Sequence, residues 1–442
     1  MRESCAAIIN GAPLPAEKIL QKIYYGYWLI IGAFFAEFIS VGIQNYIIGP
    51  FMIPMIDDFG WTRAEYTLPR TVGGFVTAAT GFIIGSYLDQ WGPKKFMVFG
   101  ALILSVSLYL LSEITELWHW VILNGVILTI GAALVGNLVV NVTLIKWFVD
   151  FRGRAIALAA MGVSFAGVIL TPFTTWAIDT YSWRFTWQLL ALLTLVLVIP
   201  PALIMRRSPE DYGLQPDGRT KGDDQKGLTK NAIVDFNRSL TRRQALSTKT
   251  FYWLVIAFTL FTISIQVMLL QTVPLMTDAG YDRKTAALMI TVISVPAMLA
   301  KPVWGWLIDG LQQPRLLAAV SSLVSASALF IIVYATNGNH LGLLIVGFLL
   351  LGLGWGGMIP LQEVIWAAFF GRRHIGAVRG AAMPFMICLG SIAPIATSYY
   401  YDVVGDYNGA IMTVGLANLI SSVIIMLIKM PSLSSNQGFE KR

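Results

Sequence analysis

Long apolar runs alternate with short polar breaks along almost the whole chain. Twelve runs stand out: 27–48, 67–88, 95–112, 118–141, 155–178 and 186–205, then 251–275, 285–308, 314–335, 341–367, 376–400 and 407–429. Each is close to the roughly 20 residues that a helix needs to cross a bilayer core of about 30 Å. The sixth and seventh runs are separated by the one long break, 206–249, rich in Arg, Lys, Asp, Gly and Ser. The pattern divides the chain into a tail (1–26), a six-helix bundle (27–205), a linker (206–249), a second six-helix bundle (250–429) and a short tail (430–442). The predicted fold is therefore an all-α membrane protein with twelve transmembrane helices in two bundles. The first run follows its tail at too great a length for a signal-peptide core, and reads as a retained helix.

Composition agrees. Hydrophobic residues make up 56% of the 442 and charged residues 12%, half the share of a soluble domain, about 25%. That leaves too few charges to cover a water-facing surface. The net charge of +7 would hint at nucleic acid in a soluble protein. Here the basic residues collect in loops on one side, so no nucleic-acid partner is expected. The two cysteines, Cys5 in the tail and Cys388 inside an apolar run, provide neither a disulfide framework nor a metal spacing. No metal, cofactor or enzymatic centre is expected.

Loop charge sets an orientation. One side collects Arg2, Lys18, Lys22, Lys94, Lys95, Lys146, Arg152, Arg154, the linker, Arg315, Arg372, Arg373, Arg379, Lys429, Lys441 and Arg442. The other has only Arg63, Arg184, Arg283 and Lys284, and is acidic at Asp57, Asp58, Glu113, Glu116, Asp179, Asp402 and Asp406. The positive-inside rule then places both termini and the linker in the cytoplasm. A multi-pass protein of the cell (inner) membrane is expected, with the lipid bilayer as its main partner, and a monomer.

The halves repeat each other at an offset of about 220 residues. Pro54, Asp58, Gly60 and Arg63 match Pro274, Asp278, Gly280 and Arg283, and Gly85 and Asp89 match Gly305 and Asp309. Further on, Ala159-Ala160-Met161 and Pro172 match Ala381-Ala382-Met383 and Pro394. Two pseudo-symmetric halves in the same orientation are the parallel repeat of one large class of transporters.

The loop after the second run reads Gly85-Ser-Tyr-Leu-Asp89-Gln-Trp-Gly92-Pro-Lys94-Lys95. Gly85 allows close helix approach. Asp89 stands at the membrane boundary, where a carboxylate meets a helix N-terminus or a neighbouring cation. Gly92 turns the chain, and a partial copy recurs at Gly305, Asp309 and Arg315. On these residues the chain resembles the major facilitator superfamily, whose signature between helices 2 and 3 has this form. The resemblance implies the major facilitator fold and a charge latch, with Gly85, Asp89, Gly92, Lys94, Lys95 and Asp309 as gating residues. The family's usual arginine after the aspartate is Gln90 here.

A narrower resemblance is to the bacterial monocarboxylate-porter and oxalate/formate-antiporter-like branch. It rests on Asp58-Phe-Gly-Trp-Thr-Arg63, Trp147-Phe-Val-Asp-Phe-Arg-Gly-Arg154, Ser208-Pro-Glu-Asp-Tyr-Gly-Leu-Gln-Pro-Asp-Gly218 and Phe370-Gly-Arg-Arg-His-Ile-Gly-Ala-Val-Arg-Gly380. These stretches speak to ancestry more than to cargo.

Ionisable residues inside the runs are costly in hydrocarbon and therefore candidates for function. They are Glu37, Arg70, Lys301 and Glu363. Lys301 lies eight residues before Asp309, hence about 12 Å inside the boundary. It reads either as a snorkelling or structurally paired cation, or as a fixed charge for an anion. The resemblance favours the second reading, because monocarboxylate transporters carry Arg-Pro-x-x-Gly where this chain has Lys301-Pro-x-x-Gly305. Lysine keeps the charge but loses the planar fork. Glu363, at a similar depth, is either a permanent ion-pair partner or a proton carrier that competes for Lys301. Glu37, near mid-membrane, is either a hydrogen-bonded packing residue or a second proton carrier. Arg70 reads as a cation at the far end of its helix. Asn137 and Asn141 share a helix face, and with Gln271 and Gln362 they are candidates to line a cavity; interhelical hydrogen bonds explain such amides equally well. The glycine-rich stretch Gly352–Gly357 reads as close helix packing, and residues 239–253 as a short interfacial helix.

The expected function is secondary transport of a small organic anion, a monocarboxylate, by alternating access, with protons or a counter-anion as coupling partner. Export of an amphipathic or cationic compound stays open, as does a transport-incompetent membrane sensor.

Overall fold

The computed structural model describes residues 24–218, 239–390 and 392–431. Arg2, Cys5, Lys18, Lys22, Lys441, Arg442 and most of the linker lie outside the described residues, as do the side chains of Arg63, Arg283, Lys284, Cys388 and Asp402. The long helices are α1 (Gly26–Asn45), α2 (Arg63–Trp91), α3 (Pro93–Leu111), α4 (Leu117–Trp147), α5 (Arg152–Thr180) and α6 (Trp183–Ile204), then α7 (Lys249–Asp278), α8 (Arg283–Leu311), α9 (Pro314–Asn337), α10 (Leu341–Phe370), α11 (Ile375–Gly390) and α12 (Asn408–Leu427). Eleven described helices are long and apolar enough to cross a membrane. The remaining apolar helical residues are those of α11 and of Ile392–Val404.

Local chemistry explains where the helices start. Thr62 and Glu65 form a reciprocal capping box at the head of α2, which satisfies two backbone donors at once. Ser182 and Thr248 cap α6 and α7, and Pro93 and Pro314 open α3 and α9. Between α2 and α3 Gly92 takes φ +76°, and Gly371 takes φ +74° at the end of α10. Both turns use the left-handed region that glycine enters without a Cβ clash.

Two helices depart from the expected plain spans. α4 contains a π-helical stretch, Val121–Leu128, and breaks at Gly136 before resuming at Asn137–Trp147. The π stretch passes Pro69 of α2, where a Cβ on Gly125 would lie 3.1 Å from the Pro69 carbonyl. The first helix also bends away after Asn45, and a separate helix, Ile48–Phe59, follows.

Within the first six helices α1 packs on α5, α3 on α6, and α4 on α2 and α3; within the last six, α9 packs on α10 and α12, and α8 on α10. The halves meet through α2 against α11 and α5 against α8. The apolar core is distributed unevenly. One cluster joins both halves on the linker side, with Leu144, Ile156, Ile308, Ile365, Trp366, Phe370 and Val378 in it. A second cluster, including Met268, Ile293, Phe348 and Tyr407, belongs to the last six helices alone.

Glycines make the cross-half contacts possible. A Cβ on Gly85 would lie 2.3 Å from the Gly376 carbonyl, and one on Gly380 would lie 2.4 Å from the Gly81 carbonyl. Similarly, a Cβ on Gly305 would sit 2.8 Å from the Gly153 carbonyl. The Gly352–Gly357 stretch packs α10 onto α8 and α9 in the same way: added Cβ atoms would meet the Ile293 carbonyl and Ser325 Oγ.

Candidate functional site

Four ionisable side chains lie buried at the centre: Glu37 on α1, Lys301 on α8, Glu363 on α10 and Arg379 on α11. They carry two formal negative and two formal positive charges. The Lys301 ammonium donates to Ser164 Oγ of α5, a contact between the halves. Glu37 is fully buried, and neither of its carboxylate oxygens has a hydrogen-bond partner among the described residues. It lies within electrostatic reach of both Lys301 and Glu363.

Glu363 is held elsewhere than the depth argument suggested. Arg379 grips it with two hydrogen bonds, Nε to Oε2 at 2.9 Å and a terminal nitrogen to Oε1 at 2.5 Å. Arg379 reads from sequence as a loop cation. The structure buries it inside α11, 5.3 Å from the Trp366 ring. No ion pair joins Lys301 to Glu363 among the described residues. Arg70 is exposed and donates to Asn45 Oδ1 at 3.2 Å.

The amides differ in their surroundings. Asn141 is buried, and both its side-chain polar atoms lack a partner among the described residues; the Asn137 side-chain oxygen is likewise unpartnered there. Asn137 opens the second segment of α4 directly after the break at Gly136, where an added Cβ would lie 3.1 Å from Ser40 Oγ. Gln271 is buried on α7. Gln362, beside Glu363, donates to Met386 Sδ at 3.8 Å.

A second constellation lies at the linker face. Asp89 accepts from the backbone N–H groups of Gly376 (3.3 Å) and Ala377 (2.8 Å), so it caps α11 from the other half. It also pairs with Lys146 at 2.7 Å, both side chains being buried. Asp309 repeats the device in reverse: it accepts from Gly153 (2.8 Å) and Arg154 (3.0 Å) and caps α5, with the Arg154 guanidinium 3.3 Å away. Each carboxylate meets the positive end of a helix in the opposite half, where such a charge is stabilised. Lys94 and Lys95 are exposed.

The linker adds a strap that sequence reasoning left unassigned. Asp217 accepts from the N–H groups of Val149, Asp150 and Phe151, at 3.1–3.3 Å. Burial pushes its carboxyl above the usual carboxylate range, while the Phe151 and Val149 donors and the charges of Arg152 and Arg372 pull the other way. Glu210 pairs with Arg372 at 2.6 Å, and Arg372 also donates to the Lys146 carbonyl at 2.9 Å. Arg206 lies between the rings of Tyr25 and Tyr212. Past the gap in the described residues, Arg242 reaches from the short helix Arg242–Leu246 to the Phe82 carbonyl at 2.8 Å. Burial lowers the His374 imidazole at the head of α11, Asp89 opposing and Arg373 and Lys146 reinforcing the shift.

Comparison with known proteins gives this arrangement a family. The model of the Major Facilitator Superfamily matches residues 33–394, with a second match over 268–442. The chain belongs to the major facilitator superfamily. It is 24% identical over 408 residues to monocarboxylate transporter 13 of Rattus norvegicus, covering 91% of this chain and 89% of that protein. It is 23% identical over 407 residues to the agnestins efflux protein AgnL12 of Paecilomyces divaricatus, covering 91% and 87%. Its structure matches that of the proton:xylose symporter XylE bound to 6-bromo-6-deoxy-D-glucose with a TM-score of 0.74 at 12% identity, covering 91% of this chain and 95% of that one. That last likeness carries the fold alone. As a member of the major facilitator superfamily, the protein is a multi-pass membrane transporter and not an enzyme.

Proposed function

We propose that this transporter moves a small organic monocarboxylate together with a proton across the cytoplasmic membrane, the bundles 27–205 and 250–429 rocking about the central charges. The observation that carries this reading is the unequal pairing of those charges. Glu363 and Arg379 satisfy each other through two hydrogen bonds. Among the described residues, Lys301 is left with a neutral hydroxyl, and Glu37 with no hydrogen bond. A buried charge without a partner is expensive, so this pair is poised to accept an anion at Lys301 and a proton at Glu37. Loading both keeps the site neutral, which is the electrostatic basis of coupling. The Glu363–Arg379 clamp favours Glu37 over Glu363 as the proton carrier. Asn137, Asn141, Gln271 and Gln362 supply polar lining, and Asp89 and Asp309 serve the gate.

The charge-rich face with the linker is taken as cytoplasmic under the positive-inside rule. In this state the gate on that face is shut, so the path would be reached from the opposite side.

The test is uptake of labelled pyruvate, lactate, formate and oxalate into proteoliposomes, with and without an inward proton gradient. Wild-type protein is expected to accumulate at least one monocarboxylate when the gradient is present. Lys301→Gln should abolish saturable uptake. Glu37→Gln should leave exchange of labelled for unlabelled acid intact while removing the effect of the gradient. Gradient-driven accumulation by Glu37→Gln at the wild-type level would refute the proton assignment. The relative named as an efflux protein and the unpartnered Glu37 carboxylate support a second reading, export of a cationic compound bound by Glu37. On that reading Lys301→Gln would keep transport and Glu37→Gln would lose it.

A further inference from the structure

Lysine at position 301 supplies a point charge with three N–H donors. One of them is spent on Ser164 Oγ. The hydroxyl it meets has its own proton to place. Ser40 and Thr174 return theirs to the carbonyl one turn back, on Ala36 and Leu170. Ser164 makes no such bond, and Lys301 is its hydrogen-bond partner among the described residues. Accepting from the ammonium aims the serine lone pair at Lys301 and leaves the O–H free to point elsewhere. Both residues are buried, 3% and 5% exposed, so a donor without an acceptor there is costly. Two free donor groups, an ammonium N–H and a hydroxyl O–H, therefore stand side by side, each on a different half.

We infer that Ser164 is a substrate-binding residue: its hydroxyl and the Lys301 ammonium together hold the two oxygens of one carboxylate. The pair rebuilds, from two helices, the two-pronged donor that a single guanidinium would provide. Because the prongs come from α5 and α8, a bound carboxylate replaces part of the direct Lys301–Ser164 contact with a bridge between the halves. The site thus selects a planar group with two acceptor oxygens over a single-acceptor anion such as chloride. This inference rests on the monocarboxylate reading above.

The experiment measures KM and maximal rate for labelled pyruvate and lactate in proteoliposomes. Ser164→Ala is expected to raise KM about tenfold, a loss of about 1.4 kcal/mol, with maximal rate within about twofold of wild type. Ser164→Thr, which keeps a hydroxyl, should restore most of the affinity. In a Lys301→Arg background the guanidinium supplies both prongs, so adding Ser164→Ala should change KM less than about twofold. A residue that merely latched the halves would alter the rate of cycling in both backgrounds alike. Should the alanine variant fail to fold, Ser164→Cys, with its weak S–H donor, gives the same KM increase. An unchanged KM in Ser164→Ala, or an equal penalty in both backgrounds, overturns the role of Ser164 alone. If wild-type protein takes up neither acid, the monocarboxylate reading itself falls.

Discussion

At the scale of single residues, the two buried carboxylates respond to their surroundings in opposite ways. Glu363 faces a guanidinium with matched geometry, whereas Glu37 has no hydrogen-bond donor among the described residues. Removing one partner of a buried ion pair strands the other charge, at about 3–5 kcal/mol. Glu363→Gln should therefore lower the melting temperature of the purified protein in detergent sharply, and Glu363→Gln with Arg379→Gln should recover most of it. Glu37→Gln loses no hydrogen bond and breaks no direct ion pair, leaving only the longer-range attraction to Lys301 unmet, so its melting temperature should fall far less than that of Glu363→Gln. Differential scanning fluorimetry separates the cases. A Glu363→Gln protein as stable as wild type would show that the Arg379 clamp contributes little, and would return Glu363 to the list of proton carriers.

At the scale of helices, the packing of the two halves on the linker side rests on bare backbone crossings. α2 and α11 meet through Gly81, Gly85, Gly376 and Gly380, with no room for a side chain. Gly85→Val would force the crossing apart, because the obstructing atom is a backbone carbonyl that cannot swing aside. Spin labels on the exposed Lys94 and Arg243 should then show a distance distribution several ångströms longer than in the unsubstituted protein. An identical distribution would mean that the crossing does not hold the gate. Gly85 and Asp89 are legible in the sequence, because each has a counterpart in the second half and lies at a run boundary. The apolar runs were equally readable, since lipid imposes their length. Arg379 was not. It sits among loop cations in the chain, and its burial depends on the turn at 371–374 folding it back toward Glu363. The break at Gly136 was also hidden, because a glycine inside a uniformly apolar run leaves the pattern intact. Ser164 carried no signal, as its role depends on a lysine in the other half.

At the scale of the molecule, the two carboxylate caps look equivalent but rest on unequal supports. Asp89 caps α11 and also neutralises Lys146, whose side chain is only 7% exposed. Asp309 caps α5 and stands beside Arg154, whose side chain is 43% exposed. Each Asp→Asn change keeps one acceptor oxygen and removes the charge. For Asp309 the loss is one of its two backbone hydrogen bonds and the helix-end attraction, the latter about 0.3–1 kcal/mol, since water solvates the freed Arg154. For Asp89 the same loss is compounded by a buried ammonium left without its carboxylate. Asp89→Asn should therefore open the linker face more than Asp309→Asn, read as faster alkylation of a cysteine that replaces the buried Val378. The strap sets the ceiling on both effects. Arg372 holds the Lys146 carbonyl and Glu210 at once, so opening must also break these contacts from the last six helices to α4 and to the linker strand. Arg372→Ala combined with Asp89→Asn should raise alkylation beyond the sum of the single changes, because either support alone keeps α11 against the first six helices. Strictly additive rates would instead make the cap and the strap independent, and would confine the role of Glu210 and Asp217 to tethering the linker.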